Sequence, residues 1–447
     1  MGVKNPTHVC RECGATSPRW SGRCGGCGEW NTLEAAPAPA RATSPSATTT
    51  PLAHVDVAGL TLRPTGVGEL DRVLGGGLAP GSSTLLYGEP GVGKSTLALM
   101  VLLAAARVAP ALLIAAEESV AQVARRARRL GEVPEGLDVA AQTDLAAAAD
   151  LVAAGRSRVV VVDSLSAMND AQLGGAAGSV TQLRHGAERL SQAARATATS
   201  LVLVGHVTKD GDLAGPRALE HLVDTVIRIE GDRQGSLRIL RAQKHRFGAT
   251  GEIGLLEMDG QGLRDLPEPA LTRAPAAPGV VLGVTNDGTR SLVVEVQALV
   301  VAAGASPRRV AHQVSGQRLA LLLAVLEARC DVATGGCDVF AATAGGLPAT
   351  DPGIDVALAL AVASATAGFV VARDVAAIGE VGLAGELRGV LALSRRVREA
   401  ARRGASTVIV PAEGDLERVE GVRVVRCATL GEAIAALTSR FGQSAVE

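Results

Sequence analysis

The stretch GEPGVGKST, residues 88–96, constrains this chain more than any other. Read from Gly88 it fits Gly-x4-Gly-Lys-Ser/Thr, with the apolar run STLLY before it and the helical run TLALMVLLAAAR continuing from it. Strand, glycine-rich loop and helix in that order form the setting in which this motif binds phosphate. Gly88, Gly91 and Gly93 let backbone N–H groups close around phosphate oxygens, and the helix N-terminus adds the positive end of its dipole. The expected nucleotide contacts run through Gly88, Glu89, Pro90, Gly91, Val92, Gly93, Lys94, Ser95 and Thr96. Lys94 should reach the β- and γ-phosphates and the Ser95 hydroxyl should ligate Mg²⁺, so ATP and Mg²⁺ are the expected ligands.

A second apolar run, VVVVD (159–163), ends in Asp163, a carboxylate suited to supporting Mg²⁺ directly or through a bound water. LLIAAEES (112–119) ends in Glu117 and Glu118. Either could orient an attacking water, or the pair could simply favour the N-terminus of the next helix. LVLVGH ends in His206, with Thr208 and Lys209 behind it, polar groups suited to sensing a γ-phosphate or to an ordinary structural role. Together with ALLIAAE, DTVIRIEG and LRILRAQK, these runs alternate with helical patterns, which predicts a doubly wound, mostly parallel α/β sheet. Ligands of such sheets bind at the carboxyl ends of the strands, where Lys94 and Asp163 both fall.

The formal net charge is −1, so any anion-binding surface must be local. The longest apolar candidate, 97–116, is broken by Arg107 and Pro110, which suits a buried helix followed by a buried strand; no membrane partner is expected. The start, MGVKNPTHVCREC, lacks the apolar segment of a signal peptide. Seven cysteines, four of them clustered, argue against a secreted disulfide framework, and a cytoplasmic protein is expected. The cluster, Cys10-x2-Cys13-x10-Cys24-x2-Cys27, offers four thiolates and no open position, the ligand set of a structural Zn²⁺. A redox pair would call for a flanking βαβ pattern, which is missing. Arg11, Arg19, Arg23, Trp20 and Trp30 supply charge and stacking surface, or the two indoles form the small core of the ribbon. Composition then divides the chain into a zinc ribbon (1–34), a flexible Pro/Ala/Ser/Thr linker (35–51), an ATPase domain (52–266), a proline-rich linker (267–279) and a C-terminal domain (280–447).

TGVGELDRVLGGGLAPGSSTLLYGEPGVGKSTLA, the Glu-Glu-Ser after the second strand, GHVTKDGDLAGPRALEHLVDTVIRIEG and the leading four-cysteine ribbon together resemble the RadA (Sms) family of bacterial recombination proteins, relatives of RecA. The resemblance covers essentially the whole chain. It implies a RecA-like ATPase core in a hexameric, ring-forming motor on single-stranded DNA, acting on branched recombination intermediates alongside the RecA recombinase. It also favours Glu117 over Glu118 as the catalytic carboxylate. The family signature Lys-Asn-Arg-Phe-Gly stands here as Lys244-His245-Arg246-Phe247-Gly248, with His in place of Asn. Lys244 and Arg246 are expected either to complete a neighbouring subunit's ATP site or to touch DNA phosphates, with Phe247 packed inward to stiffen the turn. Residues 168–184 and 209–221 resemble the two DNA-binding loops of RecA-like proteins, with Arg184, Lys209 and Arg217 as phosphate contacts in place of an aromatic platform.

GGLPATDPGIDVALALAVAS and IGEVGLAGELRGVLALSRRVREAARRGASTVIVP make the C-terminal domain similar to the proteolytic domain of Lon, an α+β fold with a Ser–Lys dyad. Aligned on these flanks, Gly353 stands at the serine position and Ser394 at the lysine position, so the fold should be kept and the peptidase lost. Arg388, Arg395, Arg396, Arg398, Arg402 and Arg403 are expected to form a basic surface, whether for DNA or merely solvated. Two other readings compete: an ATP-dependent protease, which positions 353 and 394 oppose, and a KaiC-like signalling ATPase, which the ribbon and the KHRFG turn oppose.

Overall fold

The computed structural model describes residues 8–12, 15–35, 51, 54, 61–173, 175–206, 219–231, 235–266, 276–304, 306–344 and 347–441. Cys13, Thr208, Lys209, Arg217 and most of both expected linkers lie outside the described residues. The ribbon is a compact unit of its own, with β1 (His8–Cys10) between β2 (Thr16–Ser17) and β3 (Leu33–Ala35), antiparallel to both.

The central part begins with α1 (Gly68–Val73), β4 (Ser83–Gly88), α2 (Lys94–Ala105), β5 (Ala111–Ala115), α3 (Val120–Leu130) and β6 (Leu137–Ala141). It continues through α4 (Leu145–Ala153), β7 (Val159–Asp163), α5 (Val180–Ala196), β8 (Ser200–His206), β9 (Thr225–Glu230), β10 (Leu237–His245), β11 (Ile253–Asp259) and β12 (Gly262–Asp265). The strands form one sheet in the order β12-β11-β10-β9-β4-β8-β7-β5-β6. From β9 to β6 every pairing is parallel, and β10, β11 and β12 add an antiparallel extension. The apolar runs are continuous because both faces are covered. Leu86, Leu113 and Val161 face the cluster built with α1, α2 and α3, whereas their neighbours Leu85, Leu112 and Val160 face α4 and α5. Burying each such side chain contributes about 1.5–3 kcal/mol.

The C-terminal part runs β13 (Val280–Asp287), β14 (Arg290–Ala302), β15 (Arg309–His312), α6 (Gly316–Cys330), β16 (Cys337–Thr343), α7 (Asp355–Ala367) and β17 (Val375–Ala377). After the short pair β18 (Glu380–Val381) and β19 (Leu387–Arg388) come α8 (Leu393–Arg402), β20 (Thr407–Pro411), β21 (Arg423–Cys427) and α9 (Leu430–Phe441). Its mixed sheet, β15-β16-β14-β13-β17-β20-β21, carries α6, α7 and α9 against one face and α8 against the other. Ile239, Ile253 and Leu255 of the central sheet belong to the same buried cluster as Val281, Leu292 and Val294, so the two parts share a core. None of the described helices is long and apolar enough to cross a membrane.

Candidate nucleotide site and basic turn

The loop after β4 takes the backbone shape that only glycine adopts freely. Gly91 has φ +82° and Gly93, which opens α2, has φ +112°. Lys94 is 4% exposed, and its Nζ donates to the carbonyls of Gly88 (2.9 Å) and Glu89 (2.8 Å), holding the loop closed. Burial pushes its pKa down, against the pull of Asp163 and Glu117, the two carboxylates that act on it. Ser95 is half-buried and Thr96 buried on the first turn of the same helix.

Parallel pairing of β5 with β7 sets Ala115 beside Asp163, which brings the end of β7 next to the Glu117–Glu118 turn. The two glutamates divide there. Glu118 pairs with Arg126 on α3 at 2.8 Å, and the same guanidinium lies 3.8 Å from Asp163. Glu117 instead accepts a hydrogen bond from the hydroxyl of Ser164, the residue after Asp163. Two residues here escaped the sequence reading. Arg126 sits among the charges of a solvated helix pattern, and Arg238 hides in the strand run LRILRAQK. Arg238 is 5% exposed, and its Nε donates to the carbonyl of Val92 inside the glycine-rich loop at 2.9 Å. An arginine at an inward position of an apolar strand was the available signal.

The basic turn stands at the other end of the sheet. Gly88 pairs with Ile229 near the end of β9, while His245, the last residue of β10, pairs with Thr225 at the start of β9. Four strand residues at about 3.3 Å each therefore separate the turn from the glycine-rich loop of the same chain. Lys244 is half-buried and donates to the carbonyls of Glu220 (2.6 Å) and Val223 (2.8 Å). Desolvation lowers its pKa, helped by Arg246 and opposed by Asp224 and Glu220. The Arg246 side chain is 57% exposed and reaches Asp224 at 3.4 Å. The expectation for Phe247 is overturned: it is 48% exposed, and the buried member of the turn is His245. A register shift between Ala242 and Lys244 breaks the strand alternation and turns His245 inward, whereas Phe247 lies past the end of β10, in the turn, and is exposed.

Of the two expected DNA loops, 209–218 lie outside the described residues. The other is shorter than expected: Ser179 caps α5, so Arg184 sits exposed on a helix. Asp170 anchors its first part, accepting from Arg189 (3.2 Å) and bonding His185 (3.1 Å).

In the ribbon, the sulfurs of Cys10, Cys24 and Cys27 lie within 4.8 Å of one another, and Cys10 and Cys27 are 3.7 Å apart. Thiolates at two corners of a zinc tetrahedron stand about 3.8 Å apart, so these sulfurs fit Zn²⁺. Trp20 and Trp30 are 57% and 68% exposed, which makes them surface rather than core.

In the C-terminal part, a side chain at Gly353 would start 2.3 Å from the Arg396 guanidinium and 2.7 Å from the Asp351 carboxylate. Arg396 is therefore no part of a basic surface. It is 1% exposed, ion-paired with Asp351 at 2.5 Å, and donates to the carbonyls of Val284 and Leu391. Arg388 pairs with Glu386, and Arg402 and Arg403 both pair with Glu399. The Ser394 hydroxyl accepts the Glu417 N–H at 3.1 Å.

Three family models match the chain: a rubredoxin-type metal-binding domain at residues 8–35, an AAA domain at 47–212, and the Lon protease (S16) C-terminal proteolytic domain at 338–425. The DNA repair protein RadA of Pseudomonas aeruginosa is 43% identical over 98% of this chain and 100% of its own length. This chain belongs to the RadA family. The RadA proteins of Mycolicibacterium smegmatis (41%; 95% of each chain) and Escherichia coli (39%; 95% of this chain, 97% of its own) agree. A solved structure of the RadB recombinase aligns with 45% of this chain and 98% of its own at 22% identity, with a TM-score of 0.36, too loose to argue from. The RadA architecture of ribbon, ATPase core and Lon-like domain makes ATP, Mg²⁺ and Zn²⁺ the ligands of this chain.

Proposed function

We propose that this RadA-family protein is an ATP-hydrolysing DNA motor of the cytoplasm: a hexameric ring on single-stranded DNA that remodels branched recombination intermediates alongside the RecA recombinase. The observation that carries the reading is the opposition of two sets of charged residues on one sheet. Lys94, Asp163 and Glu117 gather at one end of the parallel strands, and the Lys244–Gly248 turn is offered outward at the other. A turn that its own subunit's nucleotide cannot use is suited to completing a neighbour's.

In this reading Gly88–Thr96 holds the phosphates, and Lys94 leaves its two loop carbonyls for the β- and γ-phosphates. Ser95 and Asp163 would hold Mg²⁺, which when bound offsets phosphate charge. Glu117 orients the attacking water, with Ser164 fixing the carboxylate; Glu118 is tied up by Arg126. Arg246 stabilises charge developing on the neighbour's γ-phosphate, and Lys244 assists. Cys10, Cys13, Cys24 and Cys27 hold the zinc. The Lon-like domain cleaves no peptide, because the Arg396–Asp351 pair occupies the space a nucleophile at 353 would need.

The test is ATP turnover with and without single-stranded DNA. Strong stimulation by DNA is expected, and Glu117→Gln should still bind ATP while hydrolysing it slowly. Indifference to DNA would favour the signalling ATPase, and wild-type turnover by Glu117→Gln would remove Glu117 from the mechanism.

A further inference from the structure

Arg238, the second residue of β10, reaches across to the glycine-rich loop. Its guanidinium is fixed on three sides: Nε donates to Val92 O (2.9 Å), Nη1 to Gly235 O (2.6 Å) and Leu237 O (2.8 Å), and Nη2 lies 3.4 Å from the Met258 sulfur. The same methionine touches the loop from that side, since a side chain built on Gly93 would meet Met258 at 3.4 Å and Leu263 at 3.5 Å. The antiparallel strands β10, β11 and β12 thus form an outer wall behind the loop.

In a planar trans peptide the C=O and the following N–H point in opposite directions. With the Val92 carbonyl held outward by Arg238, the Gly93 N–H is turned toward the inner side of the loop. Gly93 has φ +112° and no side chain to fix its orientation, so without the arginine that peptide unit is free to flip. We infer that Arg238 is a positioning residue for phosphate binding, holding the Val92–Gly93 peptide with its amide proton aimed at the nucleotide. The inference rests on residues 88–96 being the nucleotide loop.

The test is calorimetric binding of ADP and of ATP to the full-length protein. Arg238→Gln should weaken both by about 10- to 100-fold, the range for losing one hydrogen bond that involves a charged group. KM for ATP should rise more than kcat falls. Arg238→Lys has no nitrogen at the Nε position and cannot serve Val92, Gly235 and Leu237 together; it should show a smaller loss in the same direction, and it decides the matter if the glutamine variant fails to fold. A folded Lys variant that binds ADP as tightly as the wild type would overturn the inference, as would a fall in kcat with unchanged affinity. Failure of the wild-type protein to bind either nucleotide would instead sink the reading of the loop.

Discussion

His245 replaces the asparagine of the RadA signature, and its surroundings say why the exchange is tolerated. The ring is 8% exposed; Nδ1 lies 3.0 Å from the Thr225 hydroxyl and Nε2 lies 3.2 Å from the Leu74 carbonyl. A carbonyl can only accept, so Nε2 carries the proton and Nδ1 accepts from Thr225. This neutral tautomer does what an asparagine amide can do, donating on one side and accepting on the other. Gly248 completes the fit, because a side chain there would start 2.7 Å from the His245 ring. Burial pushes the His245 pKa below its usual 6.5, with the Leu74 carbonyl opposing. The unfolded chain therefore binds a proton more readily than the folded one. The stability tied to neutral His245 is fully present above about pH 6.5 and is lost as pH falls from there toward the lowered folded value, at no more than about 1.4 kcal/mol per pH unit. Urea midpoints between pH 7.5 and 5.5 should fall further for the wild type than for His245→Asn. Equal pH slopes in the two proteins would show that this ring does not titrate with folding. The KHRFG spacing was legible in the sequence, but which of its side chains points inward was not. That depends on the register shift between Ala242 and Lys244, which no local pattern announces.

Among the elements, the β13–β14 hairpin is tied to the central part by ion pairs at its turn. Arg290, with 9% of its side chain exposed, pairs at 2.5 Å with Glu69 of α1, itself 3% exposed and also accepting the Leu255 N–H. Asp287 pairs with Arg241 of β10, which also holds Glu230 of β9 at 2.9 Å. Between them Gly288, at φ +57°, has no room for a side chain: it would start 1.8 Å from the Gly251 carbonyl. The proline-rich stretch at 266–279 reads as a boundary between domains. What the sequence conceals is that charges more than 200 residues apart meet (Glu69 with Arg290) and that Ile239, Ile253 and Leu255 share a core with Leu292 and Val294. Arg290→Met should destabilise the protein, though by less than the about 3–5 kcal/mol of a buried charge stripped of every partner, because Glu69 keeps Arg72 at 3.4 Å and the Leu255 N–H. Adding Glu69→Gln should recover much of that loss. A urea midpoint for Arg290→Met equal to the wild type would mean that the hairpin tip is not coupled to α1 in solution.

At the scale of the whole molecule, the glycine-rich loop was legible because it is local: nine consecutive residues, 88–96, make it up. The location of the basic turn was not legible, because it follows from β10 running antiparallel to β9, a long-range choice. That choice makes the oligomer testable. If Arg246 serves a neighbour's site, Arg246→Ala should lower kcat on the order of 10³-fold, as trans-acting arginines do in P-loop enzymes. ATP affinity should fall much less, since the contact strengthens only as charge develops. Lys94→Ala should be inactive through its own loop. In a head-to-tail ring each site combines one subunit's loop with the next subunit's turn. Mixing the two variants in equal amounts before assembly should therefore rebuild about a quarter of the junctions as complete sites, and turnover should rise above that of either variant alone. If the turn instead holds DNA, basal hydrolysis by Arg246→Ala would survive, and stimulation by single-stranded DNA would disappear. The salt slope of DNA binding would then shrink by about one per lost phosphate contact, and mixing would give only the average of the two variants. Intact basal hydrolysis by Arg246→Ala is the result that removes the turn from the ATP site.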